Sequence, residues 1–245
     1  FSTEGTISLQ GLFRECHSLT TITGLEKLDT SAVTMFSSMF QGCASLTSLN
    51  TSGWNTTSVV DAQQMFLDCD KLAGVTGIDG WQMPELVNAR YMFGRSGVKK
   101  LDISSWKPEK LQNMQLAFTD CASLTELKMD GWSVPVLQTM EKAFQNCISL
   151  TELDLSTWKD VKALQSLYQT FYGCSAMKKL CIPGLVPSYQ SMLFYFTFEG
   201  MTSLEYLDVS NWVIDGRAKN ETVGGYLNTS IFCDEMPVAL KTIKA

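Results

Sequence analysis

The sequence predicts an α/β solenoid, right-handed, with one short parallel strand and one short helix in each coil of about 26 residues. Three periodic columns predict it. Phenylalanine followed by cysteine as Phe-x-x-Cys occurs at Phe13–Cys16, Phe40–Cys43, Phe66–Cys69, Phe118–Cys121, Phe144–Cys147 and Phe171–Cys174. Phe93, Phe198 and Phe232 continue the column, with Ser96, Met201 and Glu235 in the cysteine slot. All six tryptophans keep the same beat, at Trp54, Trp81, Trp106, Trp132, Trp158 and Trp212, with Leu185 filling the one empty slot. Between the two columns lies a third, of apolar residues at positions one, four and six.

That third column defines the strand. Leu150, Leu153 and Leu155 show it, as do Leu124, Leu127 and Met129, Leu204, Leu207 and Val209, and Val98, Leu101 and Ile103. The last two apolar residues of each set flank one polar residue, which is the period of a strand. The Leu-x-x-Leu-x-Leu form is the strand segment of leucine-rich repeats. A polar turn follows each tryptophan. The next apolar residues fall at helical offsets, as in Leu111, Met114 and Phe118, Leu137, Met140 and Phe144, and Leu164, Leu167 and Phe171. Offsets of three and four put them on one face of a short helix. The expected coil is therefore strand, turn, helix, turn, with strands lining one face of the body and helices the other. Stacked at ~4.8 Å, eight strands give a curved body roughly 35–40 Å long. One coil has too little apolar area to fold alone, so stacking supplies the core.

Residues 1–245 read as a single array of about nine coils, with 1–12 a partial coil or cap. The beat breaks once, where Phe198 and Phe232 stand 34 residues apart. The excess falls within 213–230, a polar, glycine-containing stretch that reads as part of a terminal cap or as a ligand loop, with Arg217, Asn220 and Tyr226 as candidate contacts. Leu240 and Ile243 occupy strand positions of a degenerate last coil, so 213–245 form an insertion plus a terminal unit.

Composition narrows function. The net charge of −6 argues against nucleic acid, which needs clustered Lys and Arg. The sparse basic residues offer no polybasic lipid anchor, and no apolar run reaches eighteen residues. The chain opens inside a unit without a signal peptide, as a mature or trimmed form would. No C-x-x-C pair is present, and His17 is the lone histidine, at a position that elsewhere holds Ala44, Asp70, Ala122, Ile148 or Ser175. A His-paired triad, a His-rich metal site and a glycine-rich phosphate loop are all lacking, so no catalytic, metal or cofactor-binding residue is assigned and an enzyme is not expected. The cysteine column reads as a ladder of small buried thiols. Disulfides between adjacent coils stay open on spacing alone, although side chains of one column point the same way. Sequons such as those at Asn55, Asn220 and Asn228 are expected by accident in so Ser- and Thr-rich a chain.

The polar strand positions are expected on the open surface. One column runs Asp102, Lys128, Asp154 and another Lys100, Glu126, Glu152, Lys179, with Tyr206 and Asp208 continuing them. Signs largely alternate from coil to coil, which cross-strand charge pairing explains without a ligand. A mixed-charge binding face for a partner is the alternative.

Leu207-Asp-Val-Ser-Asn-Trp212 and Met39-Phe40-Gln-Gly-Cys43-Ala-Ser-Leu46 resemble the BspA-like leucine-rich repeat surface proteins, in the variant also abundant in mycoplasma lipoproteins. The resemblance runs from about Leu12 to Ile243, and later coils depart from it by placing Ala117, Ala143 or Thr170 before the phenylalanine. It implies a secreted or surface-anchored protein of host-associated bacteria that adheres to a protein or glycan on the host or on other microbes, its signal or lipoprotein anchor lying outside this sequence. It also leaves room for a structural spacer that presents another domain. It brings no catalytic residue and no defined ligand.

Overall fold

The structure is a computed structural model that describes residues 3–159, 161–184, 196–211 and 239–244. From the second coil on, each contributes one three-residue strand among the described residues: β1 (Ser48–Asn50), β2 (Gly74–Thr76), β3 (Lys100–Asp102), β4 (Glu126–Lys128), β5 (Glu152–Asp154), β6 (Lys179–Cys181), β7 (Tyr206–Asp208) and β8 (Thr242–Lys244). All pairings are parallel and in register, as β1–β2, β3–β4 and the four-stranded β5–β6–β7–β8. In β1, β3 and β5 the central leucine is buried and its neighbours are exposed, as strand alternation requires. Ile243 enters β8 opposite Leu207.

The expected helices are not there. Among the described residues the only helical segments are two single 3-10 turns, Leu25–Lys27 and Ile78–Gly80. In place of each helix runs a chain of tight turns. Met39, Gln41 and Cys43 each donate a backbone hydrogen bond three residues back, to Phe36, Ser38 and Phe40. The intervening N–H groups point sideways: Phe36, Ser38, Phe40 and Gly42 donate to Asp61, Gln63, Met65 and Leu67 of the next coil at 2.8–2.9 Å. An α-helix spends its N–H groups on its own carbonyls four residues back; here half of them join coils together.

Two left-handed residues per coil, four apart, make this possible. They include Ser38 and Gly42, Gln64 and Asp68, Tyr91 and Arg95, Leu116 and Asp120, and Lys142 and Asn146, with φ between 53° and 74°. A positive φ at the third residue of a turn is the type II requirement. Each segment begins at a residue that bridges its counterparts in adjacent coils: Ser8, Met35, Asp61, Asn88, Asn113, Thr139 and Ser166 form a second parallel ladder. Six of the seven carry a side-chain oxygen that accepts the N–H two residues on, as Asp61 does from Gln63 at 2.9 Å and Asn113 from Gln115 at 2.8 Å; the others are Ser8, Asn88, Thr139 and Ser166.

Between the ladders lies the core. Phe13, Phe40, Phe66, Phe93, Phe118, Phe144, Phe171 and Phe198 stack without a gap, with ring centroids 5.1–6.0 Å apart. Trp54, Trp81, Trp106, Trp132 and Trp158 stack beside them at 5.5–6.3 Å. Four of these indoles donate to a carbonyl of the preceding coil: Trp54 to Leu25, Trp106 to Ile78, Trp132 to Ile103 and Trp158 to Met129. Trp81 Nε1 is buried without a partner.

The cysteine column is a hydrogen-bonded thiol ladder. Sγ of Cys43, Cys69, Cys121, Cys147 and Cys174 donates to the carbonyl of Phe13, Phe40, Phe93, Phe118 and Phe144 at 3.0–3.2 Å. These five are free and buried; Cys16 is free and exposed, and Cys181 is free in β6. Burial lifts the thiol of Cys43 to about 11 and those of Cys121 and Cys174 to about 12, and pushes Cys69 and Cys147 well up. None of the five is poised as a nucleophile.

Candidate functional site

The strand face carries the candidate residues, and β-pairing decides which of them meet. Lys100 stands opposite Glu126 and Asp102 opposite Lys128. Glu126 is the centre of a three-residue cluster: it accepts from Lys100 Nζ at 3.0 Å and lies 3.2 Å from Lys128 Nζ. The two ammonium groups hold its carboxyl below the usual range, and Glu126 in turn raises Lys128. Glu152 faces Lys179 across β5–β6, yet the two form no ion pair. Asp154 faces Cys181, and Tyr206 lies between Lys179 and Thr242. Asp208 faces Lys244 and receives its Nζ at 3.0 Å. Burial pushes Asp208 upward, but the Ser210 hydroxyl and N–H together with Lys244 outweigh it and hold the carboxyl below its ordinary value.

Three of the candidates also have a local task. Asp102, Asp154 and Asp208 each accept the N–H two residues on, from Ser104, Ser156 and Ser210, at 2.8–3.1 Å. The same turn occurs at Asp29–Ser31 and Asn50–Ser52. An Asp-x-Ser sequence therefore ends the strand by bonding its own backbone. Asn50 in that slot also completes an Asn-Thr-Ser sequon. Lys241, which donates to Glu205 at 2.6 Å, and Lys244 escaped sequence reasoning because the irregular spacing before the last coil hides their register. Arg217, Asn220 and Tyr226 lie outside the described residues.

The face is divided along its length. β1 and β2 present Ser48, Asn50, Gly74 and Thr76, with no charge, whereas from β3 onward it is charged. Over β4 and β5 lies a shallow hollow of about 500 Å³, lined by Lys100, Glu126, Lys128, Asp130, Glu152 and Asp154 among others. Among the described residues no cluster of His, Cys, Asp and Glu is arranged to hold a metal ion, and no helix is long and apolar enough to cross a membrane. His17, the lone histidine, contacts the Gly42 carbonyl at 2.8 Å and Glu15 at 3.2 Å on the turn side.

Comparison with known proteins locates the chain. No curated protein matches it. Among solved structures it is similar to a leucine-rich repeat protein from Bacteroides ovatus ATCC 8483, at 17% identity over 96% of this chain, with a TM-score of 0.37. It is similar also to a leucine rich cell surface protein from Faecalibacterium prausnitzii A2-165, at 16% identity over 96% of this chain, with a TM-score of 0.43. The chain spans 62% of the length of each. A family match covers residues 1–100 and 73–183, three quarters of the sequence, and it is the mycoplasma family that the Met-Phe-x-x-Cys motif suggested. The chain belongs to the family described as Mycoplasma protein of unknown function, DUF285.

Proposed function

We propose that this array is a non-enzymatic protein-binding module displayed at the cell surface, which engages a host or microbial protein or glycan through its strand face. One observation carries the reading. Behind the face, the same Phe, Trp and Leu recur from coil to coil because stacking demands them. On the face, the residues flanking each buried leucine differ from coil to coil, from Ser and Asn to Lys, Asp, Glu and Tyr. A scaffold that holds its interior constant and varies one exposed surface is suited to presenting a specific pattern.

The test is surface plasmon resonance against host extracellular-matrix proteins, alongside a glycan array, with charge-reversal variants Lys100→Glu, Glu152→Lys and Asp208→Lys. Binding that weakens with these reversals supports the face as the site. Binding indifferent to all three moves it elsewhere. A second reading, a spacer that presents another domain, draws on the strand-face charges that satisfy one another, as Glu126 does with Lys100 and Lys128; it predicts no binding to any probe.

A further inference from the structure

On the strand face, one junction between described coils lacks both of its ladder bonds. Coils enter the ladder through an N–H that reaches the coil before: Thr47 to Thr20, Ala73 to Thr47, Lys99 to Ala73, Thr125 to Lys99, Lys178 to Thr151, Glu205 to Lys178 and Lys241 to Glu205, all at 2.7–3.3 Å. The equivalent bond from Thr151 to Thr125 is absent; β4 and β5 belong to separate sheets, as do β2 and β3, but the latter pair keeps its bond from Lys99 to Ala73. Ile103, Leu155 and Ile182 also donate to the carbonyls of Lys128, Cys181 and Asp208 at 2.7–2.9 Å, whereas Met129 gives no such bond to Asp154 and Gly77 none to Asp102; the β4–β5 junction alone among those between neighbouring strands lacks both bonds.

The same two coils stay tightly joined elsewhere. Phe118 and Phe144 stack at 5.5 Å, Trp132 and Trp158 at 5.5 Å, Cys147 Sγ reaches the Phe118 carbonyl at 3.2 Å, and Val134 donates to Lys159 at 3.1 Å. The separation is confined to the strand face, where the hollow lies.

The chemistry of the opening is one-sided. Lys100 and Lys128 are both engaged by Glu126. Asp130, Glu152 and Asp154 have no ion pair with any described residue, and the carbonyls of Thr125 and Asp154 have no ladder partner. Acceptors outnumber free cations, and they come from two strands rather than one. A guanidinium fits that set better than an ammonium: its planar fork offers five donors and no acceptor, so one group can reach carboxylates and carbonyls together.

We propose that the opening between β4 and β5 seats an arginine side chain carried by an extended segment of a protein partner. This rests on the strand-face reading above and names the residue that such a partner presents.

The experiment uses the full chain, ¹⁵N-labelled, and a five-residue peptide of alternating serine and arginine, with its lysine and glutamate versions as comparisons. The arginine peptide is expected to shift the amides of Met129, Thr151 and Glu152 saturably, the lysine peptide more weakly and the glutamate peptide not at all. Glu152→Gln with Asp154→Asn, the latter keeping the turn oxygen, is expected to weaken the arginine response by about tenfold or more, whereas Glu205→Gln leaves it unchanged. Before any peptide is added, the Met129 and Thr151 amides should exchange with solvent faster than those of Thr125 and Lys178. Equal protection of all four amides, an equal response to the glutamate peptide, or no saturable arginine response overturns the proposal. Matrix-protein binding that still depends on Lys100→Glu or Asp208→Lys would at the same time leave the broader surface reading standing.

Discussion

Three residues after five of the phenylalanines sits a thiol whose hydrogen bond crosses to the neighbouring coil. Replacing one by serine, as Ser96 does naturally, retains a donor, whereas alanine leaves a buried carbonyl unsatisfied at a cost of about 1–3 kcal/mol. The protonated thiol is the form that fits. Folded-state values near 11–12 for Cys43, Cys121 and Cys174 lie above the ordinary 9.0, so the folded chain holds these protons more tightly than the unfolded chain does. Their contribution is complete below about pH 9 and is lost as pH rises through about 11 to about 12. The expected outcome is a urea midpoint that falls between pH 9 and 11, and falls less in a Cys121→Ser, Cys174→Ser variant. An identical alkaline profile for the two proteins would remove the thiols from the account. At neutral pH a thiol reagent should find Cys16 quickly and the five ladder thiols only after denaturation.

At the scale of the element, the strands were legible and the helices were misread, and a single coil shows why. Phe36, Met39, Phe40 and Cys43 are all fully buried. Their spacing is that of one helix face, but consecutive tight turns also bring every third or fourth residue back to the same side. Apolar periodicity therefore cannot separate the two. The distinguishing signal lay one residue before the cysteine slot, where Gly42, Asp68, Asp120, Asn146, Gly173 and Gly200 recur. Gly, Asp and Asn tolerate a left-handed backbone, and a helix interior has no use for them there. The candidate face was legible as a set of columns, but not the turn-forming duty of its aspartates, because a side chain bonding its own backbone looks in sequence like any exposed charge. That duty is testable at Asp102, which accepts from Ser104 at 3.1 Å. Asp102→Asn should be nearly neutral, and Asp102→Ala should destabilise by about 0.5–1.5 kcal/mol in chemical denaturation. Equal losses in both would assign the effect to charge instead.

Over the whole molecule, the aromatic stacks run through every described coil up to Phe198, so damage at the centre should be felt on both sides. Trp106 stacks on Trp81 and Trp132 and also contacts Phe93. Trp106→Ala should cost about 3–5 kcal/mol. Because coils contact mainly their neighbours, the transition should broaden or split as the array divides into two weaker halves. Calorimetry showing one sharp transition, merely displaced, would mean that the array remains a single cooperative unit despite the gap.

The sideways hydrogen bonds of the turn segments also bear on how the chain is assembled. A helical repeat can preform its helices while it waits for partners. Here Phe36, Ser38, Phe40 and Gly42 find their carbonyls only 25 residues further on. A coil emerging from the ribosome therefore has half of its turn-segment donors unmet until the next coil has been synthesised and laid against it. Growth resembles zipping on a moving template, with every finished coil serving as the mould for its successor.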